Sequence, residues 1–118
     1  RKDISEIQLV KGSIRAGIEI LLEKAGVPES DIDQVMIAGA FGTYLDVKSG
    51  IEIGMFPNLD LEKFVQVGNA AGTGAKMALL SRKVRSEAVQ IAKHVQYVEL
   101  TTEPGFTDTF ARCLSLGK

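Results

Sequence analysis

At 118 residues, with 45% hydrophobic and 25% charged side chains, the chain has the size and composition of one globular domain and not of a disordered tail. Lys+Arg 14 against Asp+Glu 15 leaves almost no net charge, which argues against a nucleic-acid-binding surface; the short Arg82-Lys83-Val84-Arg85 cluster reads as a solvated connection after a helix. A single cysteine, Cys113, excludes an internal disulfide and any cysteine-built metal or iron-sulfur cage within these residues. His94, also alone, reads as a helix-end surface residue. No apolar run approaches membrane-spanning length and no signal-peptide pattern opens the chain, so the expectation is an intracellular, cytoplasmic protein away from membranes. Arg1 in place of Met, with helix signals directly after it, suggests a piece of a longer protein.

In chain order, Ile7, Val10, Ile14, Ile18, Leu21, Leu22 and Ala25 recur at three- and four-residue steps and predict a helix from Ser5, capped by a Ser5/Gln8 box and stopped at Gly26 and Pro28. Gly12 and Gly17 lie inside it, where each costs about 1 kcal/mol against alanine, and are expected to admit a neighbouring element closely. Pro28 to Asp33 reads as a loop or single turn capped by Ser30 or Asp31. Gln34 to Ala38 reads as a strand; its unbroken apolar run predicts cover on both faces, as in parallel sheets. Asp46 is placed to cap a short helix through Val47, Gly50, Ile51 and Ile53 to Gly54, ended by Pro57-Asn58. Leu61 to Val67 is a second strand, followed by a helix from Ala70 to Ser81. Arg85 to Lys93 predicts a third helix with Ala88, Ile91 and Ala92 inward, Val95 to Leu100 an edge strand, and Pro104-Gly105 the start of a last helix packing Phe106, Phe110, Cys113 and Leu114 together. This order makes the chain α/β, a single subdomain over residues 1–118 with a mainly parallel sheet flanked by helices.

Two stretches share one plan of apolar strand, small-residue bend and helix start. They are Val35-Met36-Ile37-Ala38-Gly39-Ala40-Phe41-Gly42 and Val65-Gln66-Val67-Gly68-Asn69-Ala70-Ala71-Gly72-Thr73-Gly74. Bends lacking a bulky Cβ let backbone approach a flat or charged object, and in α/β folds the loops past the strand ends are where nucleotides lie. The same small residues also serve close helix-on-sheet packing with no ligand. Neither phosphate motif is present: Gly68 and Lys76 do not stand in Walker spacing, and Met77 occupies the place of a third glycine after Gly72-Thr73-Gly74.

The strings LVKGSIRAGIEILLEKAGV, IDQVMIAGAFGTYLD, IEIGMFPNL and VGNAAGTGAKMALLS closely resemble the C-terminal end of the ATP-dependent reductive activators of corrinoid proteins, members of the actin, hexokinase and sugar-kinase-like chaperone ATPase superfamily. The resemblance covers nearly the whole chain. It implies a ribonuclease H-like half of an actin/hexokinase-type ATPase, with Gly39, Ala40, Phe41 and Gly42 matching the superfamily's adenosine motif. Asn69, by its residue type, is expected to cap the following helix, with a nucleotide contact as the minor alternative. ATP with Mg²⁺ is the implied cofactor of the full-length protein, and a 2Fe-2S centre is expected only in its N-terminal region.

By this resemblance the parent returns a Co(II) corrinoid to Co(I), driven by ATP. The implied partners are the other ATPase lobe, the corrinoid protein and a possible second copy. The phosphate and Mg²⁺ motifs lie upstream in the family, so no catalytic residue is assigned; Asp46 and Asp60 read as a cap and a turn residue. Some relatives in methylamine pathways carry a cysteine-rich C-terminal segment, which Cys113-Leu114-Ser115-Leu116-Gly117-Lys118 does not supply. Its absence favours the branch acting on corrinoid iron-sulfur proteins or methyltransferase subunits. Two alternatives stand beside this reading: an interaction or dimerisation module of such an activator, and a fragment of a sugar- or acyl-phosphate kinase.

Overall fold

The computed structural model describes residues 1–117, and Phe41 by its backbone alone. Six helices and two strands follow in the order α1 (Lys2–Ala25), β1 (Val35–Ala38), α2 (Ala40–Tyr44), α3 (Val47–Glu52), β2 (Phe64–Gly68), α4 (Ala70–Leu80), α5 (Arg82–His94) and α6 (Phe106–Arg112), with single 3-10 turns at Glu29–Asp31, Leu61–Lys63 and Leu100–Thr102.

Helix α1 is longer than its predicted start at Ser5. No capping box forms: Ser5 Oγ donates to the Arg1 carbonyl, and Gln8 Nε2 reaches the Leu114 carbonyl at 3.2 Å. The buried face of α1 is not the apolar stripe that spacing selects. It carries Gly12, Ala16 and Ile20, while Ile7, Val10 and Leu21 stay about half exposed. Small residues win because α6 and its flanks come very close: a Cβ on Gly12 would stand 3.0 Å from Leu114 Cδ2, and one on Gly17 would stand 3.3 Å from Leu100 Cδ1. Phe106 and Phe110 of α6 stack with ring centroids 5.9 Å apart, as their spacing predicts.

Lys11 is buried on the same side of α1. Its ammonium donates to the carbonyls of Cys113 at 2.8 Å and Ser115 at 2.5 Å. These oxygens follow the C-terminal end of α6, where the helix dipole favours a cation, so the buried charge is solvated by backbone. Gly117 N–H also donates to the Ile53 carbonyl at 3.1 Å, which joins the chain's end to the α3 turn.

The parallel pair β1·β2 runs in register from Val35↔Phe64 to Ile37↔Gln66 and slips at the end to Ala38↔Gly68. Expected cover on both faces of β1 is not found: burial alternates, and Met36 is 67% exposed, because within the described residues helices pack on one face only. Leu61 to Lys63 form a 3-10 turn ahead of β2 instead of its first residues. Phe56, buried against Gly50, meets Phe64 at 6.0 Å and carries α3 to the start of β2.

Further corrections concern caps and the C-terminal third. Neither Ser30 nor Asp31 caps the turn after Pro28; the Ser30 hydroxyl donates to Asp31 Oδ1. Arg82 to Arg85 form the first turn of α5, capped by Ser81 Oγ on Val84 N–H, and are not a connection. Ala88, Ile91 and Ala92 are exposed, since among the described elements α5 packs mainly on α4 and buries none of its residues there. Val95 to Glu99 form no strand, having no neighbouring strand to pair with among the described residues; Tyr97 is 84% exposed and donates to Glu99.

Candidate functional site

At the C-terminal edge of the sheet each strand ends in a glycine with positive φ. Gly39 sits at φ 93°, ψ 165°, a region almost closed to residues with a Cβ, and Gly68 sits at φ 61°. The two are joined directly, Gly39 N–H donating to the Gly68 carbonyl at 2.6 Å. A Cβ built on either would meet nothing within 4 Å among the described residues, and no described side chain seals either bend. They lie side by side at the carboxyl ends of adjacent parallel strands, the position of ligand crevices in open α/β sheets.

The expected site residues divide here. Gly39 forms the open bend, and Ala40 starts α2 beside it with its side chain exposed. Gly42 is buried and points the other way: a Cβ there would stand 2.6 Å from Ile37 Cγ2, so its small size serves helix-on-strand packing. The side chain of Phe41 lies outside the described residues. Asn69 Oδ1 accepts from Gly72 N–H at 3.0 Å and caps α4, as the sequence predicts.

Gly68 belongs to the second small-residue bend that the sequence picks out, though it is not among the expected site residues. Gln66 escapes a motif search: its Nε2 donates to the carbonyls of Gly42 and of Leu45, the latter at 3.0 Å, so a β2 side chain holds the end of α2. The available signal was a lone polar residue inside the apolar run Phe64-Val65-Gln66-Val67.

A second concavity of about 720 Å³ lies among α1, α6 and the α3 turn. Its charges neutralise one another. Arg15 bonds Glu19 at 2.8 Å and Glu29 at 2.6 Å, and Arg112 bonds Glu19 at 3.1 Å. Burial works against the charged form of Arg15, yet these carboxylates hold its pKa above the ordinary value. The Cys113 thiol on the same wall is pushed up by burial and then by the Glu19 charge, which keeps it protonated at neutral pH. Among the described residues no group of three or more His, Cys, Asp or Glu side chains gathers to hold a metal ion, and no helix is long and apolar enough to cross a membrane. Asp46 accepts from both the hydroxyl and the N–H of Ser49, which lowers its carboxyl and makes it the cap of α3.

The family described as the C-terminal domain of RACo, the ASKHA domain, matches this chain over residues 1–118. The corrinoid activation enzyme RamQ of Eubacterium limosum is 37% identical over 110 residues, 93% of this chain and 18% of that protein. The Co(II) methylated amine-specific corrinoid protein reductase of Methanosarcina barkeri is 29% identical over 94 residues, 80% of this chain and 17% of that protein. A solved reductive activator for corrinoid, iron-sulfur protein superposes at a TM-score of 0.87 with 40% identity, covering 98% of this chain and 18% of that one. The chain therefore spans less than a fifth of the length of these relatives.

Proposed function

This chain belongs to the RACo C-terminal ASKHA-domain family, and from that premise we propose that it is the nucleoside-binding end of an ATP-dependent activator that reduces Co(II) corrinoid to Co(I) on a corrinoid protein. The observation that carries the reading is the hydrogen-bonded pair of open bends, Gly39 and Gly68, at the carboxyl edge of parallel strands. A purine nucleoside needs main chain at van der Waals distance and open space before it. Both bends supply that, because neither carries a Cβ and nothing covers them among the described residues.

In this reading Gly39 and Ala40 face the nucleoside, Gly42 seats α2 on β1, and Asn69 shapes the second bend by capping α4. ATP supplies the driving force for an uphill electron transfer. By the resemblance, Mg²⁺ and the 2Fe-2S centre are assigned to other parts of the complete protein. The family assignment sets aside the kinase-fragment alternative. The relatives' names span more than one corrinoid protein, so the proposal extends to the class of partner and to a cytoplasmic setting, with no single partner chosen.

A second reading, an interaction module for the other lobe, the corrinoid protein or a second copy, is favoured by the α4–α5 unit. Leu79, Leu80 and Ile91 there are 75%, 85% and 64% exposed, and Tyr97 just after α5 is 84% exposed. The two readings are compatible, as nucleotide state at one edge can bias contacts at another.

Hydrogen exchange of the intact polypeptide with and without ATP tests the first reading. Slowed exchange at residues 39–42 and 68–72 is expected, together with an affinity at least about tenfold weaker for Gly39→Ala, whose Cβ strains the bend. Nucleotide binding with no change at either bend would reduce these glycines to packing.

A further inference from the structure

We propose that Gln66 is the positioning residue of the nucleoside crevice, a carboxamide clamp that fixes α2, and with it the Gly39 bend, relative to the Gly68 bend. This rests on the nucleoside reading above. Helix α2 has only five residues, too few to persist on its own hydrogen bonds. What holds it comes from the sheet. Ile37 and its register partner Gln66 lie side by side on the face that meets α2, with Gln66 itself still exposed to solvent. Ile37 fills the space left by the missing Cβ of Gly42, and Gln66 donates both to the Gly42 carbonyl, inside the helix, and to the Leu45 carbonyl just past it.

One side chain thus takes two backbone acceptors, one of them at an end that a short helix leaves open. Gln66 also stands two residues before Gly68 on the same strand, so the clamp ties α2 to the strand that ends in the second bend. Together with the Gly39 N–H bond to Gly68, it links the two bends twice, directly from bend to bend and through β2 to the end of α2. A ligand that spans both bends binds tightly only when their separation is set in advance, which is what such support contributes.

The role depends on the amide donors, not on shape. Gln66→Glu keeps the outline of the side chain and replaces the donors by an oxygen facing two carbonyls; Gln66→Ala removes the group. In the intact polypeptide, both variants are expected to weaken ATP binding fivefold or more, measured on the folded fraction, and to speed hydrogen exchange over residues 40–45 without nucleotide. Gln66→Glu should be at least as impaired as Gln66→Ala. A purely structural role would lower the melting temperature and leave the affinity of folded molecules unchanged, and that result overturns the proposal. Wild-type affinity in Gln66→Glu, or unaltered exchange over residues 40–45, overturns it as well. If ATP binds the unsubstituted protein without protecting residues 39–42, the nucleoside reading fails and takes the ligand role of Gln66 with it; exchange over 40–45 in the variants then reports the clamp alone.

Discussion

Glu29 shows how one side chain joins distant stretches. Its carboxylate accepts from Arg15 at 2.6 Å and from the Asn58 N–H at 2.9 Å, tying α1 to the loop after α3. Burial pushes its pKa up, but the hydrogen bonds from Arg15 and Asn58 and the Arg15 charge together bring it below the ordinary 4.5. A carboxyl whose folded value is lowered is protonated first in the unfolded chain. Its contribution is therefore complete above the ordinary value and lost as pH falls through the folded one. Unfolding midpoints followed from pH 7 toward pH 3 are expected to fall more steeply for the natural protein than for Glu29→Gln; parallel curves would remove this residue from the acid response. Gly42 illustrates a steric demand instead. Gly42→Ala places a Cβ 2.6 Å from Ile37 Cγ2, and overpacking of this kind costs about 1–3 kcal/mol, readable by urea denaturation.

Among the elements, the caps of α3 and α4 were legible in sequence, whereas the expected box at Ser5 and Gln8 and a cap by Ser30 or Asp31 do not form, and burial was read least well. Asp46 and Asn69 cap α3 and α4 as their residue types require, because a cap is a local hydrogen bond between neighbours three residues apart. Asn69→Ala is expected to cost roughly 1 kcal/mol of stability and to speed exchange in the first turn of α4. A cap of no consequence would leave both unchanged. The predicted inward face of α5 failed for the opposite reason. Apolar spacing at Ala88, Ile91 and Ala92 states that a face is suited to burial, and whether a partner lies there is settled by the rest of the fold. Helix α1 repeats the lesson, since Gly12 packs against Phe110 and Leu114 while Ile7, Val10 and Leu21 stay about half exposed.

For the whole molecule, 8801 Å² of accessible surface exceeds the roughly 6,200 Å² expected of a compact monomer of this mass. The radius of gyration, 16.3 Å, likewise exceeds the ~13 Å of a compact chain of this length. The excess is apolar in part. Met36 on β1, Leu79 and Leu80 on α4 and Ile91 on α5 are all more than half exposed. Apart from Thr73 and Lys76, helix α4 consists of small and apolar residues, the pattern of a helix with cover on most sides. Stability is accordingly uneven, with the firm region where α1 meets α6 and the α3 turn. In the isolated 118 residues, amides of α5, which has no buried residue, are expected to exchange much faster than those of Gly12 to Ile20 in α1. Uniform protection would contradict this division.

Local chemistry determined α1, the two strands of the sheet, α3 to α6, the caps at Asp46 and Asn69 and the small-residue bend at Gly39, because each depends on neighbours in the chain; it did not foresee α2 as a separate helix and it called for a strand at Val95 to Leu100 that does not form. The close match of whole strings, moreover, was enough to indicate the family. Only the tertiary structure decided that Gly68 lies bonded beside Gly39, that Gly42 is a packing residue and not part of the open bend, and that Gln66 holds α2. Those facts rest on the parallel pairing of β1 with β2, a contact between segments nearly thirty residues apart that no local pattern records.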